Sequence, residues 1–255
     1  MIQPTLLFGA LLSILCAAIY YYVGRVLSQR HPASPDARMA WLLFIVWWYA
    51  LAVTTLSGAF LSLFGALGIA SLPIFTTFTI FNLLALCVGL HGLMYYLLYL
   101  FTGNRRWLIP LTLFYIGYYI LLIYYVQASG PSSVEVERWR TVLIYQHQLQ
   151  GPFFYIVLLL LLFPQIIGSL AYFSLYFRVT TATQKYRILL VSWSIIIWFL
   201  SAFLVSISGF ADYDWWQVTS RLVGLSAALV TLLAYQPTLA IKRRFGVISI
   251  AEESS

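Results

Sequence analysis

Apolar residues in this chain gather into seven long runs, at 5–27, 39–64, 74–101, 107–126, 152–177, 188–210 and 215–240, rather than recurring singly among polar ones. A hydrocarbon layer about 30 Å thick is crossed by roughly 20 helical residues at about 1.5 Å each, and every run reaches that length. In lipid a spanning backbone must satisfy its own hydrogen bonds. It does so as a helix or within a closed barrel, whose strands would show as alternating segments of about ten residues. The pattern predicts an all-α, polytopic, seven-transmembrane-helix bundle folded as one domain, with residues 241–255 as a short tail.

The polar interruptions give an orientation. Of fourteen Lys and Arg residues, eleven fall in the loops of one side: Arg25, Arg30, Arg38, Arg105, Arg106, Arg178, Lys185, Arg187, Lys242, Arg243 and Arg244. Arg138 and Arg140 stand alone in the loops opposite. Basic loops stay in the cytoplasm, so an odd number of spans puts the N-terminus outside and the C-terminus inside a cell (inner or plasma) membrane. Trp107, Trp215 and Trp216 fall near the expected interfaces, where amphipathic rings are favoured. The longest outer loop, 127–151, alternates from Val134 to Val142, which suits a strand or hairpin arm lying over the helix ends; a short amphipathic helix is the competing assignment. Such a segment serves either as a lid over a cavity or as plain interfacial chain.

Composition agrees with the membrane reading. Of 255 residues 62% are apolar and 8% charged, with a mean hydropathy of +0.91, against roughly 25% charged in soluble domains. That excludes a soluble enzyme, a disordered chain and a nucleic-acid binder, because the pI near 9.4 comes from cations at membrane edges. Cys16 and Cys87 both lie in apolar runs, so no disulfide framework is indicated. The opening Met1-Ile-Gln-Pro has no basic side chain and the run after it is too long for a signal-peptide core, so it reads as the first span.

Several chemistries are argued against by what the runs lack. None of the seven acidic residues falls within one: Asp36, Glu252 and Glu253 belong to one side, Glu135, Glu137, Asp212 and Asp214 to the other. Proton relays through buried carboxylates are therefore not expected. A retinal Schiff base needs a lysine at depth, whereas Lys185 and Lys242 sit at the basic edge. Bis-histidine haem needs two imidazoles at depth, and of His31, His91 and His147 only His91 qualifies. Metal-binding motifs are absent, so the expectation is no cofactor, no metal and no enzyme.

The polar residues within the runs are few. Arg221 falls about two turns inside the seventh run, roughly 10 Å below Asp214, where an unaided charge costs about 2.5–3.5 kcal/mol. It either faces an outward-opening cavity, meeting an anionic ligand or pairing with Asp212 or Asp214, or it snorkels to the headgroups. Asn82 lies at a similar depth in the third run, on a stripe with Ala85, Gly89, Gly92 and Tyr96 that suits close helix contact. His91, nine residues on, faces the opposite side and reads as a hydrogen-bonded packing residue. Gly58 with Ser62, and Ser220 with Gly224 and Ala228, also have the spacing of close helix contacts. Pro164-Gln165 predicts a kink in the fifth run.

Three stretches resemble the N-terminal seven-span sensor region of bacterial membrane histidine kinases. They are Tyr21-Tyr22-Val23-Gly24-Arg25 through His31-Pro32 and Ala37-Arg38-Met39-Ala40 to Trp47-Trp48; Tyr99-Leu100-Phe101-Thr102-Gly103-Asn104-Arg105-Arg106-Trp107-Leu108; and Gly151-Pro152-Phe153-Phe154 followed by Gln184-Lys185-Tyr186-Arg187. The resemblance implies a sensor bundle. Those kinases continue into a phosphoacceptor helix and an ATP-binding domain, and residues 241–255 cannot supply either, so a signal would pass to a separate cytoplasmic or membrane partner.

The leading expectation is a receptor-like bundle that binds a small apolar or amphiphilic ligand at its outer end, lined by Asn82, Trp216 and Arg221, with Asp212 and Asp214 as charge partners. Two alternatives come from other classes. One is a structural or assembly subunit of a larger membrane complex; the other is a facilitative carrier, which visible internal repeats would favour.

Overall fold

The computed structural model describes residues 3–30, 35–146, 164, 166–206 and 213–249. Its elements are α1 (Pro4–Ser28), α2 (Pro35–Ala66), α3 (Leu72–Thr102), α4 (Leu108–Ala128), β1 (Pro131–Val136), β2 (Thr141–Tyr145), α5 (Ile166–Phe177), α6 (Ala182–Ser206), α7 (Asp214–Tyr235) and α8 (Leu239–Phe245). Five stretches are helical, long and apolar enough to cross a membrane: Pro4–Ser28, Ala37–Ala66, Leu72–Thr102, Arg105–Ala128 and Asp214–Tyr235. They answer to the first four predicted runs and the seventh. The fifth and sixth runs fall partly outside the described residues, their described parts being α5 and α6, and the expected Pro164-Gln165 kink cannot be followed because Gln165 also lies outside.

Helix boundaries follow local chemistry. Pro73 in the first turn of α3 costs no hydrogen bond there, and the left-handed Gly103 (φ 63°) ends that helix by returning its N–H to the Tyr99 carbonyl. The seventh run is not continuous to residue 240, as its hydropathy suggested. Pro237 lacks an N–H and biases the residue before it away from helical angles; Gln236 takes φ −128°, ψ 71°, and α7 stops at Tyr235. The chain restarts as α8, capped by the Thr238 side chain, carrying Lys242, Arg243 and Arg244 in its last turn.

α1 packs against α2 and α7, α2 against α3, and α7 against α6, while α4 leans on α3. The α2–α3 seam is the small-residue stripe read from the sequence: Gly89 lies against Ala50 and Trp47, Gly92 lies under the Leu43 carbonyl, and Asn82 Nδ2 donates to the Thr54 carbonyl at 3.2 Å. Its centre is aromatic. Trp47, Trp48, Tyr20 and Phe44 are almost fully buried, with Tyr20 stacked on Trp48 at 6.1 Å and Phe44 on Tyr96 at 4.2 Å.

The alternating outer segment is an antiparallel hairpin, β1 with β2, so the strand reading holds and the helical alternative does not. Gly130 (φ 61°) turns the chain out of α4 into it. An isolated two-stranded ribbon is marginal in water, so contacts with the helix ends must hold this one.

Candidate functional site

The hairpin tip is the roof of a partly open cavity of about 330 Å³ lined by α1, α2, α6 and α7. Trp139, Arg140 and Thr141 close it from above; Cys16 and Tyr20 of α1, Thr55 and Gly58 of α2, Trp198 of α6 and Arg221 of α7 form its walls. Gly58 and Ser62, expected to bring helices together, instead face this space, and a side chain added at Gly58 would meet nothing within 4 Å. Ser220 and Gly224 do mediate close contact: Ser201 Oγ donates to the Ser220 carbonyl at 2.7 Å and lies against Gly224.

Four ties hold the tip down. Thr5 Oγ1 donates to the Arg138 carbonyl, and Trp139 Nε1 donates to Asp214 Oδ1 at 2.6 Å. Arg138 pairs with Asp214 at 2.9 Å, a largely exposed ion pair worth about 0–1 kcal/mol. The fourth is Arg221, whose Nη2 donates to the Trp139 carbonyl at 2.5 Å. At the tip Glu137 and Arg140 neutralise each other. The Trp139 side chain is 6% exposed, wedged into the mouth of the bundle with its ring beneath the Arg221 guanidinium, 5.3 Å from centroid to carbon.

Arg221 does not pair with Asp214, whose carboxylate Arg138 and Trp139 already occupy. Asp212 lies outside the described residues. The remaining bonds of Arg221 go from Nη1 to the Gln217 carbonyl at 3.2 Å and to Gln217 Oε1 at 2.7 Å. Gly9 on α1 makes room for it: a methyl there would sit 2.8 Å from Nε. Among the described residues no carboxylate pairs with this guanidinium, so every acceptor it meets is neutral.

The three expected ligand-binding residues are not brought together. Asn82 is spent on the α2–α3 seam, because its stripe faces α2 rather than the cavity. Trp216 points toward α6, donating Nε1 to the Leu204 carbonyl at 2.9 Å, and lies edge-on to Trp215. Arg221 alone of the three lines the cavity. Sequence reasoning missed Trp139, whose only signal was an aromatic between two arginines, and read Gly58 as a helix contact rather than as cavity wall. His91 Nε2 lies 3.0 Å from Thr112 Oγ1, the hydrogen bond expected of a packing residue, and both side chains line a small cavity between α3 and α4. No cluster of metal-ligating side chains occurs among the described residues. The chain matches no protein-family model, no curated protein and no solved structure.

Proposed function

We propose that this chain is a receptor-like, seven-span membrane bundle, N-terminus outside and C-terminus in the cytoplasm, that binds a small amphiphilic anion in the hairpin-roofed cavity and relays its presence to a separate partner. The reading is supported by the eleven-to-two division of loop cations and by the resemblance to histidine-kinase sensor regions. The observation that carries the ligand class is the Arg221 guanidinium in the cavity wall, bonded to neutral oxygens alone among the described residues. A carboxylate there gains a charge-assisted hydrogen bond in place of one to an uncharged carbonyl, worth about 1.5–3 kcal/mol. Apolar walls at Cys16, Tyr20 and Trp198 take the body of the ligand.

Ligand and hairpin compete for the same donor. An acid that draws Nη2 from the Trp139 carbonyl removes one of the four ties on the tip, so binding energy is transferred into hairpin position and into α1 and α7, which the other ties reach. Such a ligand shifts the equilibrium by no more than its difference in affinity for the two hairpin positions.

The test uses octanoate and octanol as probes on the full chain in lipid nanodiscs, read by tryptophan fluorescence. Octanoate is expected to bind roughly ten- to hundredfold more tightly than octanol. Arg221→Gln removes that preference, and Gly58→Leu, whose Cβ enters open space and whose side chain occupies the cavity, removes binding while leaving Tm unchanged or higher. Equal affinity for acid and alcohol, or an acid preference surviving Arg221→Gln, overturns the reading.

A further inference from the structure

A second cavity, of about 300 Å³, opens at the opposite end of the bundle, among the ends of α1, α2, α3, α5, α6 and α7. Two guanidiniums face it: Arg30, just past α1, and Arg187, 9% exposed, in the second turn of α6. Both line the same cavity wall, and Arg187 lies within range of the Arg30 charge. Burial also pushes the Arg30 guanidinium below its ordinary value, an effect the nearby Tyr235 phenol opposes. Arg187 donates Nη2 to the Ile248 carbonyl at 3.0 Å, which helps to fix the fork.

The rest of the wall is rich in donors. Tyr96, Tyr172 and Tyr235 all line it, and Tyr235 is 4% exposed. Its hydroxyl makes no hydrogen bond of normal geometry, although the Trp48 ring lies edge-on at 6.1 Å. Trp41 supplies an apolar side. Guanidinium forks and phenols converging on a partly apolar space are complementary to anionic oxygens. Lys242, Arg243 and Arg244 on the neighbouring α8 raise the local concentration of anions. Basic pockets between helices at a membrane edge suit phosphate headgroups in particular.

We infer that this cavity binds a phosphate group, held between Arg30 and Arg187 with the Tyr235 hydroxyl as a further donor. The group comes either from an anionic lipid, whose glycerol backbone would lie along Trp41, or from a soluble phosphate compound. This site is independent of the one beneath the hairpin.

The experiment takes the purified full chain in nanodiscs of phosphatidylcholine and measures Tm and tryptophan fluorescence on adding phosphatidylglycerol to the lipid, or inorganic pyrophosphate to the buffer. Saturable stabilisation by phosphatidylglycerol alone identifies a lipid headgroup; stabilisation by pyrophosphate identifies a soluble phosphate; both support the site. Arg30→Gln and Arg187→Gln are each expected to weaken binding by about tenfold or more, and Tyr235→Phe by less, while Arg221→Gln leaves it intact. Should Arg187→Gln fail to fold, Arg30→Lys, which keeps the charge and loses the fork, reports instead and is expected to weaken binding. The inference is overturned if neither probe binds, if Arg30→Gln binds as wild type does, or if the Arg243→Gln, Arg244→Gln double variant accounts for the whole effect, since binding then belongs to the open rim.

Discussion

On the proposed reading Arg221 decides what the hairpin-roofed cavity holds, and Gly9 decides where Arg221 can lie. A valine at Gly9 would occupy the space now filled by Nε, 2.8 Å from an added methyl, and push the guanidinium off α1. Gly9→Val is therefore expected to lower octanoate affinity about tenfold while sparing octanol, a comparison that separates loss of the cation from loss of the cavity. Asn82 belongs elsewhere. Asn82→Leu is expected to cost about 1 kcal/mol of stability through the lost bond to Thr54, with the preference for acid over alcohol unchanged; a shift in that preference would return Asn82 to the ligand site. The opposite faces of Asn82 and His91 were legible because helical angles alone set them, and the small-residue stripe placed Asn82 on a helix contact, whereas the ligand role also expected of it is not what its face meets. The surroundings of Arg221 were not, since its partner Trp139 is 82 positions away and no local pattern carries that pairing.

Between elements, the decisive junction is the hairpin on the ends of α1 and α7. Period-two alternation from Val134 made the strand legible, but it did not show that the tip would turn its tryptophan inward. Hydropathy likewise ran the seventh span through Pro237, because an apolar average is blind to one missing N–H; the break is visible only from the proline itself. Asp214→Asn removes the charge that serves both Arg138 and the Trp139 indole. The expected loss is about 0.2–1 kcal/mol, localised to the hairpin. Hydrogen exchange should quicken at the amides of Thr141–Tyr145 and stay unchanged in α3 and α4. A uniform increase across all helices would show that the hairpin is part of one cooperative unit rather than a separately movable roof.

The whole molecule has two chemically distinct ends. Thr5, the hairpin and Asp214 meet at one; Arg30, Arg187, α8 and Ile248 gather at the other. Apolar side chains stay exposed between them, as on α4, where Ile109, Leu113, Ile116 and Ile120 are each more than half exposed along one stripe. Water would penalise such a face and lipid would not, which is why composition alone made the solvent legible while the chemistry of the cavities needed the fold. Placed across a bilayer with its basic end inward, the bundle exposes the hairpin and the Arg221 cavity to the outside and the Arg30–Arg187 cavity to the cytoplasm. The most direct measurement is the accessibility of single cysteines at the exposed positions Ser133 in the hairpin and Phe245 in α8, in a Cys16→Ala, Cys87→Ala background, to an impermeant maleimide in intact cells. Labelling at 133 and protection at 245 until the cells are opened is the predicted result. Labelling of both positions, or of 245 alone, contradicts the orientation and with it the assignment of each cavity to its side of the membrane.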